Sequence, residues 1–212
     1  MEPDINIVNE CKRTPLFDAC NSGNDAIVKY LVELGSIINK EDMFKETPLF
    51  LACTVGNESM VKCLVEHGAI INKVNVYGYS PLFNACESGN EAIVKYLIEH
   101  GANIHEEDTN GETPLFDACK CGYEAIVRCL VEQGAVINKE NDDKNKTPLF
   151  FACLNGNEKI VKCLVDHGAD INKKDKNGKT PLFDAYIRGN ESVLKYLIEI
   201  GANVDQITNE FC

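Results

Sequence analysis

The chain lacks the two features that would send it to or through a membrane. No stretch approaches the roughly 18 uncharged apolar residues that mark a spanning helix. The start, Met1-Glu2-Pro3-Asp4, has neither the basic residues nor the apolar segment of a secretory signal peptide. We therefore expect an intracellular, cytoplasmic protein with no membrane partner.

Basic residues are also scarce relative to acidic ones. The 21 lysines and arginines are outnumbered by 33 aspartates and glutamates, which gives a formal net charge of −12. Binding to the phosphate backbone of nucleic acids depends on clustered Lys and Arg, and so does attraction to an anionic membrane surface. The charge balance argues against a nucleic acid as the partner.

What the sequence does contain is one phrase that recurs at an almost constant interval. Thr14-Pro15-Leu16-Phe17 returns five times, once with Ser in place of Thr, at steps of 33, 33, 33, 34 and 33 residues. A unit of this length is too short to enclose its own core. Each repeat must bury its apolar face against the next repeat, which predicts an elongated repeat solenoid.

The third repeat, residues 80–112, shows what each module contains. Ser80 and Pro81 are favourable as N-cap and first residue of a short apolar helix, which Gly89 ends. Asn90 caps a second amphipathic helix, and Gly101 ends it in a left-handed turn. A polar connector, here called a finger, leads to the next module. We predict a single all-α domain over 1–212, with a partial leading finger at 4–13 and modules at 14–46, 47–79, 80–112, 113–146, 147–179 and 180–212.

Eleven cysteines suggest a disulfide or metal framework until they are placed in the repeat. Equivalent residues of neighbouring modules lie about 8–10 Å apart, beyond the roughly 7 Å that a disulfide spans. The pair Cys119 and Cys121 has no second pair at zinc spacing. Free thiols fit a reducing compartment, with Cys11 and Cys212 exposed near the ends. Eight others fall at two repeat-equivalent positions and are predicted to be buried thiols: Cys20, Cys53, Cys86, Cys119, Cys153, and Cys63, Cys129, Cys163.

These modules resemble the ankyrin repeat. Residues 111–115, Gly-Glu-Thr-Pro-Leu, match the opening phrase of that family, and residues 168–172, Gly-Ala-Asp-Ile-Asn, match its closing phrase. The resemblance covers residues 4–212. It implies a solenoid whose fingers and first helices form a concave face that binds another protein, without catalysis by the repeats.

One departure from the family pattern is systematic. The family has His after Thr-Pro-Leu, where it helps to tie the turn by hydrogen bonds, and this chain has Phe. Because Phe cannot make those bonds, we predict that it adds apolar contact between modules instead. The six residues are Phe17, Phe50, Phe83, Phe116, Phe150 and Phe183.

Residues that interrupt the repeat are the candidates for partner recognition. Aromatic and apolar side chains at the tips of two successive fingers are typical binding hot spots. In the first helices, two large apolar residues replace the Asp that is common after the repeated Phe. The alternative for each is packing against a neighbouring finger. The predicted surface consists of Phe44, Leu51, Val76, Tyr77 and Tyr79, with Phe151 and Leu154 as a second group.

The second helices carry a cation four residues before an acid. Such pairs contribute only about 0.2–0.5 kcal/mol each and mark a solvated face. The predicted pairs are Lys29–Glu33, Lys62–Glu66, Lys95–Glu99, Arg128–Glu132, Lys162–Asp166 and Lys195–Glu199.

No catalytic or metal-binding constellation stands out from the repeat. Gly178-Lys179-Thr180 is similar to the end of a phosphate-binding loop, but Lys173 stands where that motif needs glycine. Four histidines show no metal spacing, and three of them stand just before the glycine that ends a second helix. We predict a chain that is not an enzyme and has no cofactor and no metal.

The resemblance also implies one modification. Asn residues of the closing phrase are substrates for asparaginyl hydroxylation in the family, with Leu eight residues earlier. The alternative is that these residues only stabilise a turn. The positions with that spacing are Asn39, Asn72, Asn138 and Asn172.

The chain begins part-way through a module and ends one residue before the next Thr-Pro would fall. The last module keeps apolar helices where a terminal cap is usually polar. We expect either a segment of a longer array or self-association through the terminal modules. Three functions remain open: a protein-binding module, a structural spacer, or a targeting segment of a longer multidomain protein whose activity lies outside this chain.

Overall fold

The computed structural model describes residues 4–208, and in that range all regular elements are helices. The predicted all-α repeat solenoid is confirmed. The chain divides into two compact units, Met1–Glu106 and Glu107–Cys212. No helix in the described part is long and apolar enough to cross a membrane. The helices are α1 Pro15–Asn21, α2 Asp25–Glu33, α3 Pro48–Val55, α4 Glu58–Glu66, α5 Pro81–Ser88, α6 Glu91–Glu99, α7 Pro114–Cys121, α8 Glu124–Glu132, α9 Pro148–Asn155, α10 Glu158–Asp166, α11 Pro181–Arg188, α12 Glu191–Glu199 and α13 Asp205–Thr208.

The first helices form the core of each unit. In the first unit α3 packs between α1 and α5, and in the second α9 packs between α7 and α11. The repeated phrase supplies the buried face, since Leu49 and Phe50 of α3 are fully buried, as are their counterparts in α5, α7 and α9. All six repeated phenylalanines are buried, and Phe116 lies 5.8 Å, centroid to centroid, from Phe151 of the next module. The predicted apolar role of these rings is confirmed.

The Thr or Ser before the repeated proline holds the N-cap position of each first helix, but its side chain makes no capping hydrogen bond. Ser80 has the extended backbone of an N-cap, yet its side chain accepts no bond from the helix. The neighbouring Phe ring offers no polar group where the family has His. Four of these hydroxyl oxygens are therefore buried without a hydrogen-bond partner: those of Thr14, Thr47, Ser80 and Thr147.

Replacing Thr47 by valine is expected to raise the free energy of unfolding by about 1 kcal/mol, because it removes a buried hydroxyl that has no partner and keeps the branched shape. Thr54→Val is the matched control. The Thr54 hydroxyl donates to the Phe50 carbonyl at 3.0 Å and accepts from Asn84 at 2.9 Å. That change should lower the free energy of unfolding by about 1 kcal/mol. Urea denaturation measures both, and an equal loss in both variants would contradict the explanation.

Four of the second helices begin at an Asn whose side chain caps them, whereas α8 follows Tyr123, which makes no side-chain cap. The Oδ1 atom of Asn90 accepts a hydrogen bond from the backbone N–H of Ile93 at 3.2 Å, which confirms the predicted cap. Asn24, Asn57 and Asn157 cap their helices in the same way. Asn190 makes no such cap, and its amide nitrogen donates to the carbonyls of Cys153 and Leu154 in the preceding module, at 2.8 and 3.1 Å.

The ion pairs of the second helices run in the opposite direction to the prediction. Five of the six cations contact the acid one turn earlier, at the start of the helix, and for these five the prediction of the later acid as partner was wrong. Helical side chains lean toward the N-terminus, so a lysine reaches the preceding turn more readily than the following one. The observed pairs are Lys29–Asp25, Lys62–Glu58, Lys95–Glu91, Arg128–Glu124 and Lys162–Glu158.

The ten cysteines between residues 4 and 208 are free, and seven of the eight repeat-equivalent ones are buried as predicted. Burial and the nearby Cys63 raise the pKa of the Cys20 thiol to about 12, so it is protonated at neutral pH. Cys163 is only half-buried and lines a groove between α8 and α10. Cys11 is exposed as predicted, and Cys212 lies outside the described residues.

Each finger is shaped by one Asp or Asn side chain. In the finger that precedes α3, Oδ1 of Asp42 accepts hydrogen bonds from the backbone N–H groups of Phe44 and Glu46, at 2.8 and 3.0 Å. Asn75 does the same in the next finger, at 2.9 and 3.0 Å. These turns fix where each tip points. The equivalent residues are Asn9, Asp108, Asn141 and Asp175.

In three fingers the turn-forming side chain also contacts the residue that ends the finger before it. Asp42 faces a cation, Arg13, whereas Asn75 and Asn141 each face a glutamate. Arg13 donates to Asp42 through two nitrogens, at 2.7 and 2.9 Å. Asn75 donates to Glu46 at 3.1 Å, and Asn141 donates to Glu112 at 2.9 Å. In these three pairs, charge matching between neighbouring fingers fixes their register.

Candidate functional site

Two neighbouring fingertips of the first unit present an exposed apolar cluster. The backbone N–H of Val76 donates to the carbonyl of Phe44 at 3.0 Å, which places the tips side by side. The rings of Phe44 and Tyr77 lie 6.5 Å apart at an interplanar angle of 25°. Met43, Phe44, Val76 and Tyr77 are 53%, 38%, 45% and 55% exposed. We call these four residues the fingertip cluster.

Two residues predicted for the same surface lie elsewhere. Tyr79 is half-buried, and its ring stacks on Phe83 at 4.8 Å and 6°, so the expectation of an exposed ring at the tip was wrong. Leu51 is 9% exposed and belongs to the apolar face of α3. Both follow the packing alternative, because each lies next to the first-helix core. The structure brings together Phe44, Val76 and Tyr77 of the predicted group.

The second predicted pair lines a groove in the second unit. Phe151 and Leu154 of α9 are half-buried and border a space of about 410 Å³ beneath the fingers at 110–112 and 141–146. The Phe151 ring meets Phe116 edge-on, and the Lys120 ammonium lies 5.4 Å from its centroid. Phe151 and Leu154 therefore combine the packing role with a partly accessible surface.

A buried polar network that the sequence analysis missed lies beneath this groove. Glu112 is 6% exposed and contacts both Asn141 and the ammonium of Lys120. Lys120 also lies 3.2 Å from Asp117. Burial alone would lower the pKa of Lys120, but the adjacent carboxylates of Glu112 and Asp117 outweigh it and raise that pKa above its usual range. Lys120 therefore stays charged and holds the finger to α7.

The asparagines predicted for hydroxylation bridge successive modules. The amide nitrogen of Asn39 donates to the carbonyl of Gly68 at 2.8 Å, and its oxygen accepts from the backbone N–H of Ile70 at 2.9 Å. Asn72 and Asn138 make the same pair of bonds to their next modules. Asn172 accepts from the N–H of Asn203 at 2.8 Å. These bonds hold neighbouring modules together and test neither the turn-stabilising alternative nor hydroxylation, and hydroxylation stays a prediction.

Metal chemistry finds no support among the described residues. No group of three His, Cys, Asp or Glu side chains between residues 4 and 208 could hold an ion. His67, His100 and His167 end their helices, each with Nδ1 at 2.7–2.8 Å from the carbonyl oxygen four residues earlier. These histidines therefore close helices.

Comparison with known proteins agrees with this architecture. The family model described as ankyrin repeats (3 copies) matches residues 1–75, 37–108, 70–141 and 136–208. No curated protein matches the chain significantly. Among solved structures, the crystal structure of the human ASB11 ankyrin repeat domain is similar, with 30% identity and a TM-score of 0.84, over 93% of this chain and 87% of that one. The chain belongs to the ankyrin repeat family.

Proposed function

We propose that this chain is a non-catalytic protein-interaction module and that the fingertip cluster is its principal contact surface in the first unit. Ankyrin repeat domains are generally protein-interaction modules. The observation that carries the proposal is the exposure of four large apolar side chains on two adjacent, hydrogen-bonded tips. Contiguous exposed apolar groups of this kind mark interaction sites.

The tips are also held rigid before any partner arrives. Asp42 and Asn75 fix the two turns through backbone hydrogen bonds, and the Val76 N–H ties one tip to the other. A preorganised surface loses little conformational entropy on binding, so more of the contact energy appears as affinity. Phe44 and Tyr77 supply aromatic area of the type that dominates interface energetics.

The groove beside Phe151 and Leu154 is proposed as a second contact in the other unit. Its apolar wall is bordered by Lys144, which is exposed, and by Asn110. This combination suits a partner side chain that is apolar at its base and polar at its tip. It lies on the first-helix side, where the family places its binding face.

Alanine substitution at the fingertips tests the proposal. After a partner is captured by crosslinking and purified, calorimetric titration should show that Tyr77→Ala and Phe44→Ala each weaken binding about tenfold, since each removes a central aromatic contact. Tyr30→Ala is the matched control, because Tyr30 is 62% exposed on α2, away from the tips.

Affinities that are equal for wild type, Tyr77→Ala and Phe44→Ala would remove the fingertip cluster from the binding surface. Loss of binding in the Tyr30→Ala control as well would move the contact to the second helices. A chain that crosslinks to no protein in its native cell would favour the structural spacer.

A further inference from the structure

Two equivalent grooves open between successive second helices, one in each unit. The first lies between α2 and α4 and has a volume of about 630 Å³, and the second lies between α8 and α10 and has about 340 Å³. Cys63 lines the first and Cys163 the second, at the same position of the repeat. Each groove also contains a cation from the preceding helix, Lys29 or Arg128.

Two other helix pairs of the same kind, α4 with α6 and α10 with α12, carry a tyrosine of the chain at this position. Tyr96 of α6 is the counterpart of Cys63, and Nζ of Lys62 lies 5.6 Å from its ring centroid. Tyr196 of α12 lies under Lys162 at 5.1 Å. Both rings are half-buried. In these two helix pairs, a phenol ring beneath a cation fills the position that is open beside Cys63 and Cys163.

The cations of the two open grooves are already restrained by ion pairs, like the cations that lie above the tyrosine rings. Lys62 lies over its ring while paired with the acid one turn earlier, at 2.5 Å. Lys29 makes the corresponding pair at 2.9 Å, and Arg128 makes it at 3.7 Å. An incoming ring would meet a cation that is already restrained, so little side-chain entropy would be lost.

The charges of the groove select the kind of ligand. Glu33, Glu58 and Glu66 line the first groove, against the cations Lys29 and Lys62. Three carboxylates disfavour an anionic ligand. A neutral aromatic ring gains a cation–π contact with the cation, and a phenol hydroxyl can donate a hydrogen bond to a carboxylate.

We propose that each of these grooves is a docking site for a tyrosine side chain presented by another protein, in the place that Tyr96 and Tyr196 take in the neighbouring helix pairs. The proposal concerns a surface formed by the second helices and is independent of the fingertip cluster. A tyrosine introduced at the position of the cysteine should therefore occupy the groove and prevent an external tyrosine from binding. Cys63→Tyr does this with a residue that the repeat already carries at positions 30, 96 and 196.

The test is a titration of ¹⁵N-labelled protein with p-cresol, which is the tyrosine side chain alone, followed by amide chemical shifts. Wild type should show saturable shifts around Cys63 and around Cys163, with a dissociation constant on the order of 10 mM, as expected for a ligand of this size. In Cys63→Tyr the first set of shifts should vanish while the second remains. Cys163→Tyr should show the reverse.

Two controls separate the cation–π contact from general apolar binding. The saturated analogue 4-methylcyclohexanol should bind about threefold more weakly, because it has no π face. Lys29→Met should weaken p-cresol binding in the first groove by about the same factor and leave the second unchanged. This variant also tests the proposal if Cys63→Tyr does not fold.

The absence of saturable shifts at both grooves would overturn the proposal, as would p-cresol shifts around residue 63 that persist in folded Cys63→Tyr. Sedimentation over a wide concentration range tests the other occupant, a second copy of this chain. Self-association of wild type that Cys63→Tyr abolishes would overturn the assignment to a different protein.

Discussion

Replacing Gly156 by alanine is expected to lower the free energy of unfolding by about 3 kcal/mol, while the same change at Gly189 lowers it by about 1 kcal/mol. Both glycines end a first helix in the left-handed region, with φ of 71–72°. The cost of placing an L-residue in that conformation, about 1 kcal/mol, is common to both positions. The difference between them comes from their surroundings.

The space beside Gly156 is occupied by the side chain of Asn190, which is held in place by hydrogen bonds. A Cβ atom at this position would lie 2.6 Å from Oδ1 of Asn190, whereas one at Gly189 would meet nothing within 4 Å. Asn190 cannot move aside without breaking its two hydrogen bonds to α9, those to the carbonyls of Cys153 and Leu154. Each such bond is worth about 1 kcal/mol.

Urea denaturation followed by circular dichroism measures both glycine variants. Because the backbone strain is shared, the difference between Gly156→Ala and Gly189→Ala isolates the contact with Asn190. Adding Asn190→Ala to Gly156→Ala should bring the cost of the glycine change down to the value at Gly189, since the obstructing amide is then gone. Equal losses for the two single variants would show that the steric contact is relieved at no cost.

The sequence predicted the helices well because their signals are local. The first helix of the third module was predicted to start at Pro81 and to end at Gly89, and it spans Pro81–Ser88 with Gly89 at a φ of 76°. Asn90 was predicted to cap the second helix and does so. Capping, proline placement and glycine turns each depend on a few consecutive residues, so a single sequence contains the information.

The candidate surface could be predicted only in part because exposure depends on the neighbouring module. Tyr77 and Tyr79 are two residues apart on one finger, yet Tyr77 is 55% exposed and Tyr79 stacks on Phe83. The difference arises from the turn at Asn75, which the residue types alone did not reveal. A signal was present in the chain: Asp or Asn recurs five residues before each repeated Thr-Pro or Ser-Pro, and one inserted residue in the fourth module places Asn141 six residues before Thr147.

Replacing Asn141 by aspartate is expected to lower the free energy of unfolding by about 3 kcal/mol, because it places a second carboxylate against a buried one. Asn141 and Glu112 are 5% and 6% exposed, and the amide nitrogen of Asn141 donates to Glu112 at 2.9 Å. The substitution removes that donor and introduces repulsion in its place. Lys120, the cation in contact with Glu112, is already shared with Asp117.

Aspartate is fully compatible with the turn itself, which is why the predicted loss can be assigned to Glu112. The turn uses only an oxygen of residue 141, which accepts from the N–H of Lys146, and Asp42 accepts backbone N–H bonds at the equivalent position of another finger, where it faces Arg13. Glu112→Gln should therefore rescue the variant: the glutamine amide can donate to the introduced carboxylate, so Asn141→Asp should cost less than about 1 kcal/mol in that background. Urea denaturation of the four proteins of this double-mutant cycle gives the coupling energy. If Asn141→Asp costs as much with Gln at position 112 as with Glu, the charge matching between neighbouring fingers does not set their register.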